Sequence, residues 1–203
     1  MSSDSSFSAV ARFHGHRCPG LAIGYRAAET ALKELRSGRS GDEELVCIVE
    51  HDACGVDAVQ YLTGCTLGKG NLILRDYGKN VYTFINRNSG EAVRIAQHPD
   101  FSTRRIDSRA GDLRQRVMAG TATPAEEAEY RERMDRVIAT ILAVPPEEIF
   151  SIRHVQVSIP EKARIFNSVL CAGCGELVAE PRTRTREGKV LCIPCAEAAE
   201  QCR

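Results

Sequence analysis

The sequence contains no tryptophan, and only 5% of its 203 residues are aromatic. Aliphatic side chains must therefore fill the core, which is feasible because 43% of the residues are hydrophobic. No apolar run approaches the ~20 residues that a membrane-spanning helix requires, so we expect no membrane association. The 27 basic and 27 acidic residues balance, which predicts no whole-molecule attraction to nucleic acid or to an anionic membrane.

A signal peptide is also lacking, because Met1–Ser8 is polar and contains no apolar segment. Together with nine cysteines, this absence predicts a reducing, cytoplasmic location. In that environment metal binding or redox use of cysteine is favoured over disulfides. The length suits one domain with a small appendage, or two small domains.

Four cysteines form two pairs near the C-terminus, Cys171 with Cys174 and Cys192 with Cys195. Seventeen residues separate the pairs, within the roughly 15–20-residue gap of four-cysteine zinc sites. This spacing disfavours the alternative of four buried or disulfide-paired cysteines. We predict a structural zinc in a module over residues 169–203, after a linker over 161–168, because so small a domain needs a metal to fold.

Apolar periodicity predicts an amphipathic helix over Pro19–Arg36 and then a buried strand over Leu45–Glu50. A short helix over Val56–Leu62 follows, with Asp52 as its candidate N-cap. Further strands are predicted over Asn71–Arg75 and Ile152–Val157, and further helices over Ser108–Ala119 and Pro124–Leu142. Val81–Asn86 and Ala92–Ala96 are predicted to form a hairpin that turns at Asn88-Ser89-Gly90.

Two histidines and a cysteine lie within five residues before the first helix: His14, His16 and Cys18. The amides and dipole of a helix N-terminus would favour a thiolate at Cys18. An extended segment would place both imidazoles on one side. Cys54 repeats the arrangement after a strand and before a helix. The clustering favours a functional site over the alternative of structural histidines and an inert cysteine.

A glycine-bearing loop with Cys65 and Lys69 follows the second helix. It lacks the spacing of a phosphate-binding loop, although Lys69 could offer a positive charge to an anionic ligand. The interpretation that Lys69 is an ordinary exposed lysine without a binding role is equally favoured. Cys47 lies in an apolar strand and is expected to be a buried core residue, whereas Cys202 in the tail is expected to be a free thiol.

The chain resembles the FmdE family, which is named after a component of formylmethanofuran dehydrogenase. The resemblance covers about Phe7–Ile95. It rests on His14-Gly-His16-Arg-Cys18-Pro19-Gly20, Gly24-Tyr25-Arg26, Cys54-Gly-Val-Asp57-Ala-Val-Gln60, the loop Thr63–Leu72 and Asp76-Tyr77-Gly78-Lys79.

The resemblance implies an α+β core domain over residues 1–160, with a thioredoxin-like mixed β-sheet flanked by helices and often dimeric. It also implies that Cys18, Cys54, Cys65 and the two N-terminal histidines surround a metal-binding active site. The cysteine module is similar to a treble-clef zinc finger, with a hairpin over Glu180–Val190 and with Cys192 and Cys195 starting the last helix. Some family members are linked to molybdenum formylmethanofuran dehydrogenase and methanogenesis.

Our first hypothesis is a redox or metal-dependent enzyme, or an accessory subunit of a larger dehydrogenase. His16, Cys18 and Cys54 would bind zinc or another transition metal, since imidazole and thiolate suit such ions. His14, Cys65 and Lys69 would complete a pocket for a small-molecule ligand. Asp57 would either orient a ligand residue or pair with the dipole of its helix. As a minor variant, Cys18 and Cys54 would form a dithiol couple.

The second hypothesis is a non-catalytic binding module whose zinc finger contacts a protein partner or nucleic acid. Arg182, Arg184, Arg186 and Lys189 give the predicted hairpin a basic edge. Nearby glutamates dilute this charge, and no aromatic residue is interleaved for base stacking, so nucleic acid is the less favoured partner.

Overall fold

The computed structural model describes residues 3–201 of the chain. Cys202, expected to be a free thiol, lies outside them. The chain divides into two compact units, the first ending at Lys162 and the second starting at Ala163. None of the helices within residues 3–201 combines the length and apolar character that crossing a bilayer demands.

A mixed sheet of five strands forms the centre of the first unit. The strands are β1 (Leu45–Val49), β2 (Leu72–Leu74), β3 (Val81–Asn86), β4 (Ala92–Gln97) and β5 (Phe150–His154), in the spatial order β2-β1-β3-β4-β5. Strands β1 and β2 pair in parallel, whereas the other neighbours pair antiparallel. The predicted hairpin is therefore confirmed as β3 and β4. The last strand, β5, begins and ends earlier than predicted. It pairs with β4 from Phe150, opposite Gln97, to His154, opposite Val93.

Helices account for most of the remaining first unit: α1 (Ser3–His14), α2 (Pro19–Glu34), α3 (Gly55–Thr63), α4 (Thr103–Ile106), α5 (Ser108–Met118), α6 (Pro124–Ala143) and α7 (Pro146–Ile149). The main core lies where α1, α2, α3 and α6 pack on one face of the sheet. Fully buried side chains there include Phe7, Leu21, Phe84 and Ile138. A smaller cluster around Val46 and Ile85 covers the other face, as the alternation of side chains along strands requires.

Helix α1 was absent from the sequence prediction, which treated the residues around the two histidines as extended. Phe7, Val10 and Ala11 are buried at the i, i+3, i+4 spacing of a helix that packs one face against a core. That spacing is the sequence signal for α1. Its last residue is His14, so the histidine motif starts on a helix rather than on a strand.

The second unit consists of two short hairpins and a helix. Strands β6 (Ser168–Leu170) and β7 (Leu177–Ala179) form the first hairpin, and β8 (Thr183–Arg186) and β9 (Lys189–Cys192) form the second. Helix α8 (Ile193–Gln201) follows directly. The predicted hairpin and the terminal helix are both present in this unit. The chain is thus a mixed α+β protein with a cysteine-bearing C-terminal module.

Candidate metal centre

Two glycines allow the N-terminal halves of α2 and α3 to approach closely. A Cβ atom on Gly24 would lie 2.2 Å from the carbonyl oxygen of Gly55, a distance that no real side chain tolerates. A Cβ atom on Gly20 would lie 3.6 Å from the Cβ of Cys54. This contact places Cys18, the N-cap of α2, beside Cys54, the residue preceding α3.

The start of α3 differs from the sequence prediction, which offered Asp52 as its N-cap. Helix α3 begins at Gly55, so the N-cap position belongs to Cys54. The reason is local, because the Nδ1 atom of His51 accepts a hydrogen bond from the amide of Ala53 at 3.1 Å. This contact holds the chain in a turn before the helix starts. Cys54 makes no side-chain bond to the amides of α3, so its sulfur is not committed to capping.

The two histidines meet through a turn. Gly15 follows the end of α1 with φ +97°, a conformation that favours glycine. The imidazole rings of His14 and His16 then lie with their centroids 4.4 Å apart and their planes tilted by 38°. They lie together as predicted, although a helix end and a turn bring them there instead of an extended segment.

The structure brings four candidate ligands into one cluster. His14, His16, Cys18 and Cys54 each offer one donor atom, and these atoms lie within 4.8 Å of one another. Donors on a tetrahedral zinc ion, at Zn–S of about 2.3 Å and Zn–N of about 2.0–2.1 Å, are separated by roughly 3.4–3.8 Å. A small contraction of the cluster would therefore suffice to hold one ion.

His14 supplies an independent sign that the cluster fits a metal. Its Nδ1 atom lies 2.7 Å from a carboxylate oxygen of Asp57, in the first turn of α3. Its Nε2 atom is buried and has no hydrogen-bond partner among the described residues. Metal-binding histidines commonly donate one ring N–H to a carboxylate while the other nitrogen ligates the ion. The contact favours the orienting role for Asp57 over simple dipole pairing.

The pKa of the Cys18 thiol differs from the expectation that a helix N-terminus favours a thiolate there. The amide of Leu21 donates to its sulfur at 3.3 Å, as expected of an N-cap. Nevertheless, burial raises the pKa of Cys18 to about 11, outweighing the amide of Leu21, and the neighbouring Cys54 adds to the rise. The helix N-terminus alone therefore does not produce a thiolate. A cation bound by the sulfurs would reverse this balance, because a coordinating thiol is deprotonated.

A cavity of about 780 Å³ opens beside the cluster. His16, Cys18 and Cys54 line one side, so three of the four donor atoms belong to residues that face it. Residues of α5 and α6 line most of the rest, among them Arg114, Met118, Tyr130, Arg131, Met134 and Asp135. The volume lies in the range of roughly 300–1,000 Å³ that small-molecule sites occupy. A bound ion would thus be accessible to a ligand.

The α6 side of this cavity was missed from the sequence. The periodicity of Pro124–Leu142 predicts that Tyr130 and Met134 belong to a core-facing stripe and that the charged residues beside them form a solvated face. In the structure, Tyr130 and Met134 are half-buried and stand at the cavity wall with Arg131. Only the position of α6 over the histidine–cysteine cluster reveals this role, and periodicity carries no information on that position.

Cys65 and Lys69 lie elsewhere. Cys65 is fully buried in the core, where burial raises its pKa, and its amide donates to the hydroxyl oxygen of Thr63. The ammonium group of Lys69 donates to the carbonyl oxygen of Asp42 at 2.8 Å. Neither residue lines the cavity beside the cluster. Their loop instead braces the segment before β1, since the side-chain amide of Asn71 donates to the carbonyl oxygen of Asp42 at 3.1 Å.

The second cluster lies in the C-terminal unit. The sulfur atoms of Cys171, Cys174, Cys192 and Cys195 lie within 4.8 Å of one another. The amides of Cys192 and Gly173 donate to the sulfur of Cys171 at 3.2 and 3.4 Å, and such bonds lower the pKa of Cys171 to about 6. The backbone thus prepares one thiolate. A Cβ atom on Gly173 would lie 3.0 Å from the sulfur of Cys195, so a small residue keeps this turn compact.

Comparisons with known protein families match both units. Residues 13–151 match the family described as FmdE, molybdenum formylmethanofuran dehydrogenase operon. Residues 164–201 match the prokaryotic dksA/traR C4-type zinc finger. The four clustered cysteines of the C-terminal unit are those of this zinc finger, and they support a structural zinc there.

Two individual proteins are similar over nearly the whole chain. A probable S-adenosyl-L-methionine-binding protein of Archaeoglobus fulgidus is 34% identical over 188 residues, which cover 91% of this chain and 50% of that protein. The chain therefore spans about half the length of this relative. A solved structure, of a tungsten formylmethanofuran dehydrogenase FmdE-like protein from Syntrophus aciditrophicus, has a TM-score of 0.68 and 25% identity. That similarity covers 98% of this chain and 94% of the other.

Proposed function

Because this chain belongs to the FmdE family, we propose that it is a metal-dependent enzyme, or the accessory subunit of one. The proposed core domain spans residues 1–160 and binds a transition metal, whereas residues 169–203 form a structural zinc finger after a linker over 161–168. One observation carries the proposal. Two imidazoles and two thiols from three elements converge within 4.8 Å at the edge of an open cavity.

We assign the ligand roles by burial and by hydrogen bonding. His14, whose Nε2 atom is buried and whose other nitrogen contacts Asp57, is suited to a fixed ligand together with Cys18 and Cys54. His16 is exposed and lines the cavity, so it would be the fourth ligand and the one that a water or a substrate oxygen would replace. A zinc or similar ion bound here would act as a Lewis acid on a water or on a substrate oxygen.

The cavity supports a small-molecule ligand with an anionic group. Arg114 and Arg131 stand in its wall, and neither has an ion-pair partner within the described residues. Arg17, in contrast, contacts Asp135 at 3.7 Å and lies over the ring of Phe7. The two unpaired guanidinium groups would bind a carboxylate or phosphate.

The larger context of the reaction is proposed from the family. The FmdE family is associated with the operon of molybdenum formylmethanofuran dehydrogenase, which supports a role beside a larger oxidoreductase. A homodimer is the expected form of the protein alone. Light scattering on purified protein at several concentrations tests the dimer, and a monomer at all of them would remove it.

The test of the metal site is a count of bound metal. Elemental analysis of the full chain should find about two metal ions per chain, one for each cluster. Cys18→Ser and Cys54→Ser should each lower the count by about one while the zinc finger stays loaded. Cys174→Ser is the matched control, because it should remove the other ion. An unchanged count in the first two variants would leave only the non-catalytic binding module.

A further inference from the structure

A second, smaller cavity of about 270 Å³ adjoins the one beside the metal cluster. Gly20, Ile23 and Thr103 line both cavities, so they share a wall. Gly20 and Gly55, which also lines the small cavity, lie close to Cys18 and Cys54 in the chain. Because Gly55 directly follows Cys54, the small cavity lies next to the backbone that carries one of the proposed metal ligands.

His51 gives this cavity an unused hydrogen-bonding group. The residue is only 6% exposed, and its Nε2 atom is buried without a partner among the described residues. Its Nδ1 atom accepts a hydrogen bond from the amide of Ala53 at 3.1 Å. An amide can only donate, so Nδ1 is the unprotonated nitrogen and Nε2 carries the hydrogen. A buried N–H donor without an acceptor is costly, so an acceptor from outside the chain would be favoured in this cavity.

Tyr82 stands beside His51 in the same wall. Their rings pack edge to face with centroids 5.1 Å apart, and the side chain of Tyr82 is almost fully buried. A Cβ atom on Gly55 would lie 2.4 Å from the hydroxyl oxygen of Tyr82, so glycine at this position leaves room for that hydroxyl. Burial raises the pKa of Tyr82, and the hydroxyl therefore stays protonated and able to donate. The wall of the cavity thus contains two neighbouring hydrogen-bond donors, the Nε2–H group of His51 and the hydroxyl group of Tyr82.

The walls of the cavity are polar but uncharged. Besides His51 and Tyr82 they include Asn80, Gln97, Ser102 and Thr103, and no formally charged side chain is among the described residues that line it. Burial lowers the pKa of His51, which keeps its imidazole neutral at physiological pH. An anion placed here would lose its hydration without gaining a cation, whereas a neutral oxygen would gain hydrogen bonds.

We propose that this cavity is the subsite for a small uncharged carbonyl compound, such as an amide, whose oxygen accepts hydrogen bonds from His51 and Tyr82. A volume of about 270 Å³ exceeds the roughly 30 Å³ of one water molecule, so a single ordered water does not fill it. The role in catalysis rests on the proposed function, since the bound carbonyl would lie behind the metal ligands. Binding itself does not require the metal.

Acetamide and acetate are matched probes for this subsite, because they have nearly the same size and differ in charge. The full-length protein, labelled with ¹⁵N in its five histidines, is titrated with each compound while the ring nitrogens are observed by NMR. We expect a saturable shift of the His51 Nε2 signal with acetamide, and binding at least about tenfold tighter than that of acetate. Equal or tighter binding of acetate, or no shift with acetamide, would overturn the proposal.

Substitutions of His51 test whether its Nε2–H group donates to acetamide. His51→Leu should abolish acetamide binding, and His51→Gln, which keeps an N–H donor, should restore part of it. His154→Leu is the control, because His154 is exposed and lines neither of the two cavities. Acetamide binding that persists in His51→Leu would also overturn the subsite.

Metal content measured on the same samples separates the two proposals. In the natural protein, an absence of acetamide binding with full metal content counts against the subsite alone, and acetamide binding without the first metal counts against the metal site alone.

Discussion

Asp57 accepts a hydrogen bond from Nδ1 of His14, and Nε2 of His14 is buried without a hydrogen-bond partner among the described residues. We expect Asp57→Ala to weaken metal binding at the N-terminal site by about 10–100-fold, because a ligating histidine loses its orientation and basicity without its carboxylate. Competition with a chromophoric chelator, on protein whose zinc finger is already loaded, measures this change.

Asp52→Ala is the matched control for that substitution. Asp52 is exposed and lies five residues earlier, away from the hydrogen bond between Asp57 and His14, so its loss should leave metal affinity unchanged. Equal affinities in the Asp57 variant and the natural protein would assign Asp57 to helix stabilisation alone. The side chain of Asp57 is partly exposed, so its replacement should leave the fold intact.

The sequence predicted the positions of some candidate site residues correctly and those of others not. His14, His16 and Cys18 are neighbours in the chain, so their proximity follows from local geometry. Cys54 joined them because strand ends and helix starts tend to gather at one edge of a sheet. Cys65 and Lys69 belong to a matching motif as well, yet one faces the core and the other faces a backbone carbonyl. A motif fixes the identity of such residues, whereas the packing of their loop decides where they point.

At the scale of elements, the contact between α2 and α3 holds the two cysteines together. Gly24→Ala would insert a methyl group where a backbone oxygen lies 2.2 Å away. We expect a loss of stability of about 1–3 kcal/mol from overpacking, together with weaker metal binding as Cys18 and Cys54 separate. Urea unfolding and metal analysis of the same variant measure both effects.

Gly38→Ala provides the comparison, since nothing lies within 4 Å of a Cβ atom there. It should leave both stability and metal content close to those of the natural protein. A Gly24→Ala protein that kept its full stability and both metals would show that the helix contact does not set the geometry of the site.

The elements themselves followed from the sequence to different degrees. The spacing of Ala and Leu after Pro19 predicted α2 with an end slightly later than the observed one. The residues Asn88-Ser89-Gly90 predicted the turn of the β3–β4 hairpin. Helix α1 is short of leucine and rich in serine, so its few buried residues carried a weak periodic signal. The order of the strands and the position of α6 over the cluster depend on long-range packing, which periodicity does not encode.

At the scale of the whole molecule, the two units differ in how they are stabilised. The core of the first unit contains large buried side chains from several helices and the sheet. The buried cluster of the second unit consists of Cys171, Leu191 and Ala196 within the described residues. So small a core cannot support folding by itself, and the metal must supply the difference.

Cys192→Ser should therefore unfold the second unit while leaving the first intact. Hydrogen exchange should become faster by at least about 100-fold in β6–β9, because the free energy of metal binding is the folding free energy of such modules. Protection in β1, β3 and β4 should not change. Cys18→Ser should give no acceleration in β6–β9, and a general loss of protection in either variant would mean that the units do not fold independently.

Zinc K-edge X-ray absorption of the fully loaded protein tests the central claim, that imidazoles and thiols of the first unit hold an ion separate from the zinc finger. Two sites, one with two sulfurs and two nitrogens and one with four sulfurs, predict an average of about three sulfurs at 2.3 Å and one nitrogen at 2.0–2.1 Å per zinc. A shell of about four sulfurs without nitrogen would contradict the account, because every bound zinc would then belong to the C-terminal cysteines.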